Sequence, residues 1–153
     1  MKMESTRFGI LEVSDEEILQ FPHGLPGFQE EKSFAFLPYQ PESPFAFLQS
    51  VTTPELAFVV IDPFAFFPDY VFKLEDSVVQ ELALSGENLP QIFTIVRVAD
   101  KLEEMTTNLI APIVVNIKTR TARQVVLENT SYTVRHLLFP NGANPAQETK
   151  GGK

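Results

Sequence analysis

The chain has no cysteine and no tryptophan. Without cysteine there can be no disulfide, no thiolate metal ligand and no cysteine nucleophile. Histidine is scarce as well, with only His23 and His136, far apart in the sequence. Seven glycines, at positions 9, 24, 27, 86, 142, 151 and 152, match neither dinucleotide-binding nor P-loop spacing. There is no G-x-S-x-G elbow and no H-E-x-x-H pair. The longest apolar run, Leu56 to Ile61, is far short of the ~20 residues a spanning helix needs. The opening Met1-Lys2-Met3-Glu4-Ser5 begins no signal-peptide apolar region. Together these absences predict a soluble, cytoplasmic protein with a thin catalytic inventory, no metal, no cofactor and no membrane partner.

Positive charge is also in short supply. There are 12 Lys and Arg against 20 Asp and Glu, a net charge of −8. Residues 1–96 carry 15 acidic and 4 basic side chains, whereas residues 97–153 carry 5 acidic and 8 basic. Nucleic acids are gripped by neutralising phosphates, so a chain of this sign predicts no direct nucleic-acid partner. Arg97, Lys118, Arg120 and Arg123 in the less acidic part keep an OB-type nucleic-acid barrel as an alternative. An acidic surface solubilises a protein, and it also attracts basic proteins and repels wrong ones.

At 153 residues, 44% apolar and 21% charged, the composition is that of a globular domain large enough for a real core. Short extended segments dominate. Phe8 to Val13 alternates apolar and polar residues. Ser33 to Leu37 and Pro44 to Leu48 each place phenylalanines two apart, on one face of a strand. Leu56 to Ile61 is apolar throughout and predicts a strand buried on both faces. Ile92 to Val98 and Ile113 to Ile117 look alike, and Gln124 to Leu127 closes the series. Twelve prolines, spread evenly between these segments, disfavour long helices. One helix is predicted, from a Ser77 N-cap with Gln80 reaching back to a Gly86 stop. Ser14 to Glu17 offers a similar capping box, but Pro22 leaves room for little more than a turn. The expected fold is all-β, a sandwich or barrel, as a single domain over 1–139 with one or two short helices and a Phe-rich core. Residues 140–153, almost without apolar side chains, are expected to be a mobile tail.

Chemistry-bearing patterns are few. Adjacent carboxylates such as Asp15 to Glu17 and Glu103-Glu104 are expected to be solvated. A carboxylate-pair carbohydrate-active or hydrolytic enzyme remains an alternative, to be supported by two clustered acids that perturb each other's pKa in a deep cleft. The segment Asp62-Pro63-Phe64-Ala65-Phe66-Phe67-Pro68-Asp69-Tyr70 is different, because Asp-Pro and Pro-Asp corners bracket a run of aromatics. A loop stiffened in this way can present rings to a partner, or fold them inward while the aspartates cap turns. Asp62, Phe64, Phe66, Phe67, Asp69 and Tyr70 are therefore candidate partner-binding residues. Asn108 and Asn116, in the dense Met105 to Asn116 block, are further candidates. The alternative for both is a buried hydrogen-bonding role.

Five collinear motifs resemble the family of the flagellar assembly factor FliW. They are Phe21-Pro22-His23-Gly24-Leu25-Pro26-Gly27-Phe28; Ser43-Pro44-Phe45 through Leu48-Gln49-Ser50-Val51; Pro54 to Phe58 with Asp62 to Tyr70; Met105 to Asn116; and Ser131-Tyr132 with Arg135-His136. Leu137 departs from the pattern, which would place proline there. The resemblance implies a non-enzymatic regulator with a compact β-barrel-like fold. It implies two protein partners: CsrA, a small basic RNA-binding repressor of translation, and cytoplasmic flagellin. Unsecreted flagellin would occupy the protein and leave CsrA free to silence flagellin mRNA. Export of flagellin would release the protein to antagonise CsrA, non-competitively with RNA.

Overall fold

The computed structural model describes residues 1–140 of the chain; the expected tail lies, from residue 141 onward, outside the described residues. Among the described residues there are eleven strands and one short α-helix: β1 (Lys2–Ser5), β2 (Gly9–Glu12), β3 (Ile18–Gln20), β4 (Ser33–Pro38), β5 (Phe45–Ser50), β6 (Ala57–Ile61), α1 (Asp76–Glu81), β7 (Gln91–Arg97), β8 (Thr106–Thr107), β9 (Ile113–Asn116), β10 (Thr121–Gln124) and β11 (His136–Leu137). Strands β7, β6, β5, β4, β3, β10 and β9 follow one another in hydrogen-bonded order, and β9 pairs back onto β7. The result is a closed seven-stranded barrel, which leaves no exposed edge along that circuit. Closure needs one parallel seam, β3 to β10, where Thr121 faces Gln20 and the Gln20 N–H donates to the Arg120 carbonyl at 2.8 Å. Strands β8 and β11 extend the sheet outward from β7.

Period-two alternation decides which side chains enter the barrel. Phe34, Leu48, Val60, Ile113, Val115 and Ala122 are buried together inside, with Phe36, Phe58, Phe93 and Ile95 packed against them. The opposite faces of the same strands are also covered, which is why the sequence reads as apolar on both sides. The β1–β2 hairpin brings Met3 and Val13 against Ile18 and Ala35. Val78 and Leu82 of α1 cover Val114. Phe66, Phe67, Leu138 and Phe139 cover Ile61 and Val96.

The phenylalanines are divided between the core and these outer layers. Only Phe21 and Phe34 are fully buried, while Phe8, Phe28 and Phe64 are exposed and the other nine rings are half-buried. Phe21, Phe34, Phe36, Phe58 and Phe93 belong to the main core cluster, and other rings fill the layers around the barrel.

The Phe21–Phe28 motif plugs one end of the barrel. Phe21 and Leu25 are buried, and Leu25 and Phe28 exchange backbone hydrogen bonds at 3.3 and 2.7 Å. Gly24 sits at φ +65°, and a Cβ there would lie 2.6 Å from the Gln29 backbone. Only glycine satisfies both constraints.

The helix differs in its ends from the expectation. Its N-cap is Glu75 and no side chain caps it; Ser77 is already inside. It stops at Leu82, with Ala83 at φ 55°, before Gly86 is reached. The second box forms as a single 3-10 turn (Asp15–Glu17), in which Glu17 accepts from the Ser14 N–H at 2.8 Å. The strand expected at Gln124 to Leu127 is shifted to Thr121–Gln124. Four strands escaped the periodicity reading: β1, β3, β8 and β11, all of four residues or fewer.

Candidate partner-binding surface

The Asp62–Tyr70 loop leaves the barrel at the end of β6. Asp62 caps the 3-10 turn Pro63–Ala65, its Oδ1 accepting from the Phe64 N–H at 3.0 Å. Proline at the first position suits such a turn, since its missing N–H would be unpaired there anyway. The Phe66 and Phe67 amides both donate to the Pro63 carbonyl, at 3.1 and 2.8 Å, and the Tyr70 amide donates to the Phe67 carbonyl at 2.9 Å. The backbone is thus fixed by successive turns, and the rings are sorted by it. Phe66 meets Phe45 and Phe139 edge-on, each with centroids 5.7 Å apart. Phe67 packs on His136 at 6.0 Å. Tyr70 is buried, and its hydroxyl donates to the Leu109 carbonyl at 2.6 Å. Burial, and secondarily the neighbouring Tyr132, pushes the Tyr70 hydroxyl up, so it stays a neutral donor. Phe64 alone turns outward, 43% exposed, resting on the Tyr70 ring. Asp62 and Asp69 are exposed beside it.

The two asparagines lie elsewhere and are occupied internally. Asn108 is half-buried and accepts from the Ala111 N–H at 3.1 Å, closing the turn into β9. Asn116 is fully buried. Its Nδ2 donates to the Leu82 carbonyl at 2.6 Å, and its Oδ1 accepts from the Lys118 and Thr119 amides at 2.9 and 3.2 Å. It joins the end of α1 to the β9–β10 turn, and in this conformation no atom of it is open to a partner.

The loop has a second half that the sequence reading did not count among the site residues. Tyr132 packs edge-on against Tyr70 at 4.8 Å, and its hydroxyl accepts from the Val71 N–H at 3.0 Å. His136 Nε2 accepts from the Thr133 N–H at 2.9 Å, so that nitrogen carries no proton. Partial burial lowers the His136 pKa in keeping with this. The Ser131-Tyr132 and Arg135-His136 motif was visible in the sequence, but nothing in its spacing says that it closes over residues 62–70.

Beyond Tyr70 the chain runs extended alongside residues 125–130. Between the two segments lies an open groove of about 350 Å³, lined by Val71, Leu74, Val78, Val125 and Val126 with Glu75 and Glu128 also on its walls. Val71 and Val126 are 73% and 66% exposed. Phe72, on the groove wall, packs against Tyr70 with centroids 5.2 Å apart, so the groove adjoins the base of the aromatic loop. Among the described residues no three His, Asp or Glu side chains come together as a metal site.

A seven-stranded barrel carrying this loop has known counterparts. The family model described as "FliW protein" matches residues 2–138. A crystal structure of the flagellar assembly factor FliW superposes with a TM-score of 0.84 at 40% identity, covering 94% of this chain and 100% of that one. The chain belongs to the FliW family. Its relatives include the flagellar assembly factor FliW of Desulfitobacterium hafniense (strain DSM 10664 / DCB-2), 51% identical over 99% of both chains. That of Heliobacterium modesticaldum is 48% identical over 99% of both. That of Bacillus subtilis (strain 168) is 44% identical, over 84% of this chain and 90% of the relative. These FliW relatives are named as assembly factors and not as enzymes. Among the described residues no helix is long and apolar enough to cross a membrane.

Proposed function

We propose that this flagellar assembly factor of the FliW family works by binding two proteins in turn: the basic RNA-binding repressor CsrA and cytoplasmic flagellin. The observation that carries the reading is a preformed, rigid surface that joins exposed apolar side chains to free acids. Phe64, Asp62 and Asp69 of one loop are all exposed, and a groove lined by Val71, Leu74 and Val126 together with Lys73, Glu75 and Glu128 follows in the chain. A surface already fixed by internal hydrogen bonds loses little entropy on binding. The acids suit a basic partner, and the groove suits an amphipathic flagellin segment. In this scheme Phe66, Phe67 and Tyr70 hold the loop, with Asn108 and Asn116 bracing the barrel behind it. CsrA would be antagonised from beside its RNA groove, through a coupling of about 1–3 kcal/mol between the sites.

Calorimetric titration with CsrA from the same organism, with and without saturating flagellin, tests the scheme. The expected result is CsrA binding that flagellin abolishes. Flagellin binding without any CsrA binding would reduce the protein to a flagellin chaperone. Phe64→Ala and Asp69→Ala proteins that fold normally are expected to bind more weakly. Wild-type affinity for both partners in both variants would remove the loop from the surface.

A further inference from the structure

The barrel end opposite the Phe21–Phe28 plug is open. Its mouth is a cavity of about 370 Å³ lined by Phe36, Phe93, Pro41, Glu42, Asp62 and Ala65, among others. The floor is the ring pair Phe36 and Phe93, with centroids 4.9 Å apart. The wall is the β4–β5 loop, which follows Pro38 at the end of β4, holds Pro41 and Pro44 and is stitched internally: the Ser43 amide donates to the Gln40 carbonyl at 3.0 Å and the Phe45 amide to Ser43 Oγ at 3.0 Å. The Asp62 amide donates to the Pro44 carbonyl at 2.9 Å and fastens that loop to the end of β6. Two exposed carboxylates, Glu42 and Asp62, line the cavity, and no Lys, Arg or His does. Among the described residues neither carboxylate is in an ion pair.

We propose that this mouth is a receptor for an arginine side chain presented by a basic protein. The chemistry is specific in three respects. An aromatic floor attracts a cation through the ring quadrupole, and a planar guanidinium stacks on it better than an ammonium does. Carboxylates at the mouth supply the fork of acceptors a guanidinium matches. An arginine's aliphatic stem lies along apolar walls while its head stays at the polar rim. An anion or a phosphate meets only repulsion there. The rigid proline-rich wall makes the site preformed, so binding orders little of the receptor. The inference deepens the preceding proposal by giving its basic partner a specific anchor, and it rests on that reading only for the identity of the partner.

The test separates the two. Nα-acetyl-arginine amide and its neutral isostere Nα-acetyl-citrulline amide are titrated into the full chain, followed by NMR shifts of Phe36, Ala65 and Phe93. The arginine compound is expected to saturate these shifts and the citrulline compound to leave them nearly unmoved. Glu42→Gln with Asp62→Asn removes the charge while keeping shape and the turn cap, and should weaken the arginine compound ~tenfold. Equal behaviour of the two compounds, or an unchanged affinity in the folded double variant, would overturn the site. In the calorimetric titration, undiminished binding of the basic partner by the same double variant overturns its role as an anchor and leaves the partner reading intact. Selective arginine uptake with no binding of the basic partner sinks the partner reading and leaves the site standing.

Discussion

Among the described residues, Gln49 makes more hydrogen bonds than any other side chain. It is fully buried, and its Nε2 faces the carbonyls of Ser50, Thr53, Pro54 and Leu56 at 3.1–3.4 Å. Its Oε1 accepts from Ser5 Oγ at 2.7 Å, and that oxygen in turn accepts from the Arg7 and Phe8 amides. One amide therefore ties the β1–β2 hairpin to the β5–β6 turn. Gln49→Glu keeps the volume but points a carboxylate, which has no donor, at four carbonyls. It is expected to cost about 3 kcal/mol or more, and Gln49→Leu about 2 kcal/mol, in urea unfolding. Equal stability of all three proteins would show that the amide contributes nothing. His136 gives a pH-dependent counterpart. As a hydrogen-bond acceptor with a pKa lowered from 6.5 by burial, it binds fewer protons folded than unfolded. Its contribution is then fully present above pH 6.5 and is lost as pH falls through the lowered folded value. His136→Gln should be less stable than wild type at neutral pH, and the gap in Tm should narrow on acidification. A gap that stays constant with pH would place the Thr133 hydrogen bond elsewhere.

Among the elements, α1 shows how a short helix is held in place. Six residues cannot sustain a helix by propensity alone, so packing and end contacts must do it. Val78 and Leu82 are buried against Val114, and Asn116 takes the Leu82 carbonyl at the helix end. On the outside, Glu81 bridges His23 at 2.6 Å and Arg123. Burial alone would raise the Glu81 pKa, but the His23 hydrogen bond and the Arg123 charge outweigh it and leave it lowered. The two attachments are expected to differ in weight. Asn116→Ala strands a buried carbonyl and two turn amides and should cost about 2–3 kcal/mol. Glu81→Ala breaks a partly exposed ion pair and should cost ~1 kcal/mol or less. If amide exchange at Leu82 and Ala83 quickens more in Glu81→Ala than in Asn116→Ala, this ranking is wrong. The same elements mark what the sequence makes legible. Strands β4 to β7 and β9 carry runs of alternating or continuous apolar residues, and each was readable to within two residues. Strands β3, β8 and β11 have two or three residues each, too few for any period, and exist because neighbours offer them partners. At the candidate site the stiffness of Asp62 to Tyr70 was legible from its corners. Which rings turn inward was not, because that depends on Tyr132 and Phe139, some sixty residues downstream and supplied by the tertiary fold.

On the scale of the whole molecule, charge is separated along the sequence while the barrel mixes the halves. Residues 1–96 hold 15 acids and 4 bases, yet β9 and β10 from the second half complete the same circuit as β3 to β7. Arg123 of the second half pairs with Glu81 of the first. Glu42, Asp62 and Asp69 are in no ion pair among the described residues, and Asp62 belongs both to the barrel mouth and to the aromatic loop beside it. A partner that approaches these three carboxylates meets acids not offset by an ion pair, on a chain of net charge −8. Such a field acts chiefly on encounter, so it should appear in the association rate and not in the lifetime of the complex. In stopped-flow mixing with the basic partner, kon is expected to fall about tenfold or more between low salt and ~0.5 M salt, where charges farther apart than a few ångströms are screened. The dissociation rate should change much less, because an inserted ring or side chain is shielded from bulk ions. An association rate indifferent to salt would mean that the acids serve solubility alone, and that recognition rests on the apolar groove.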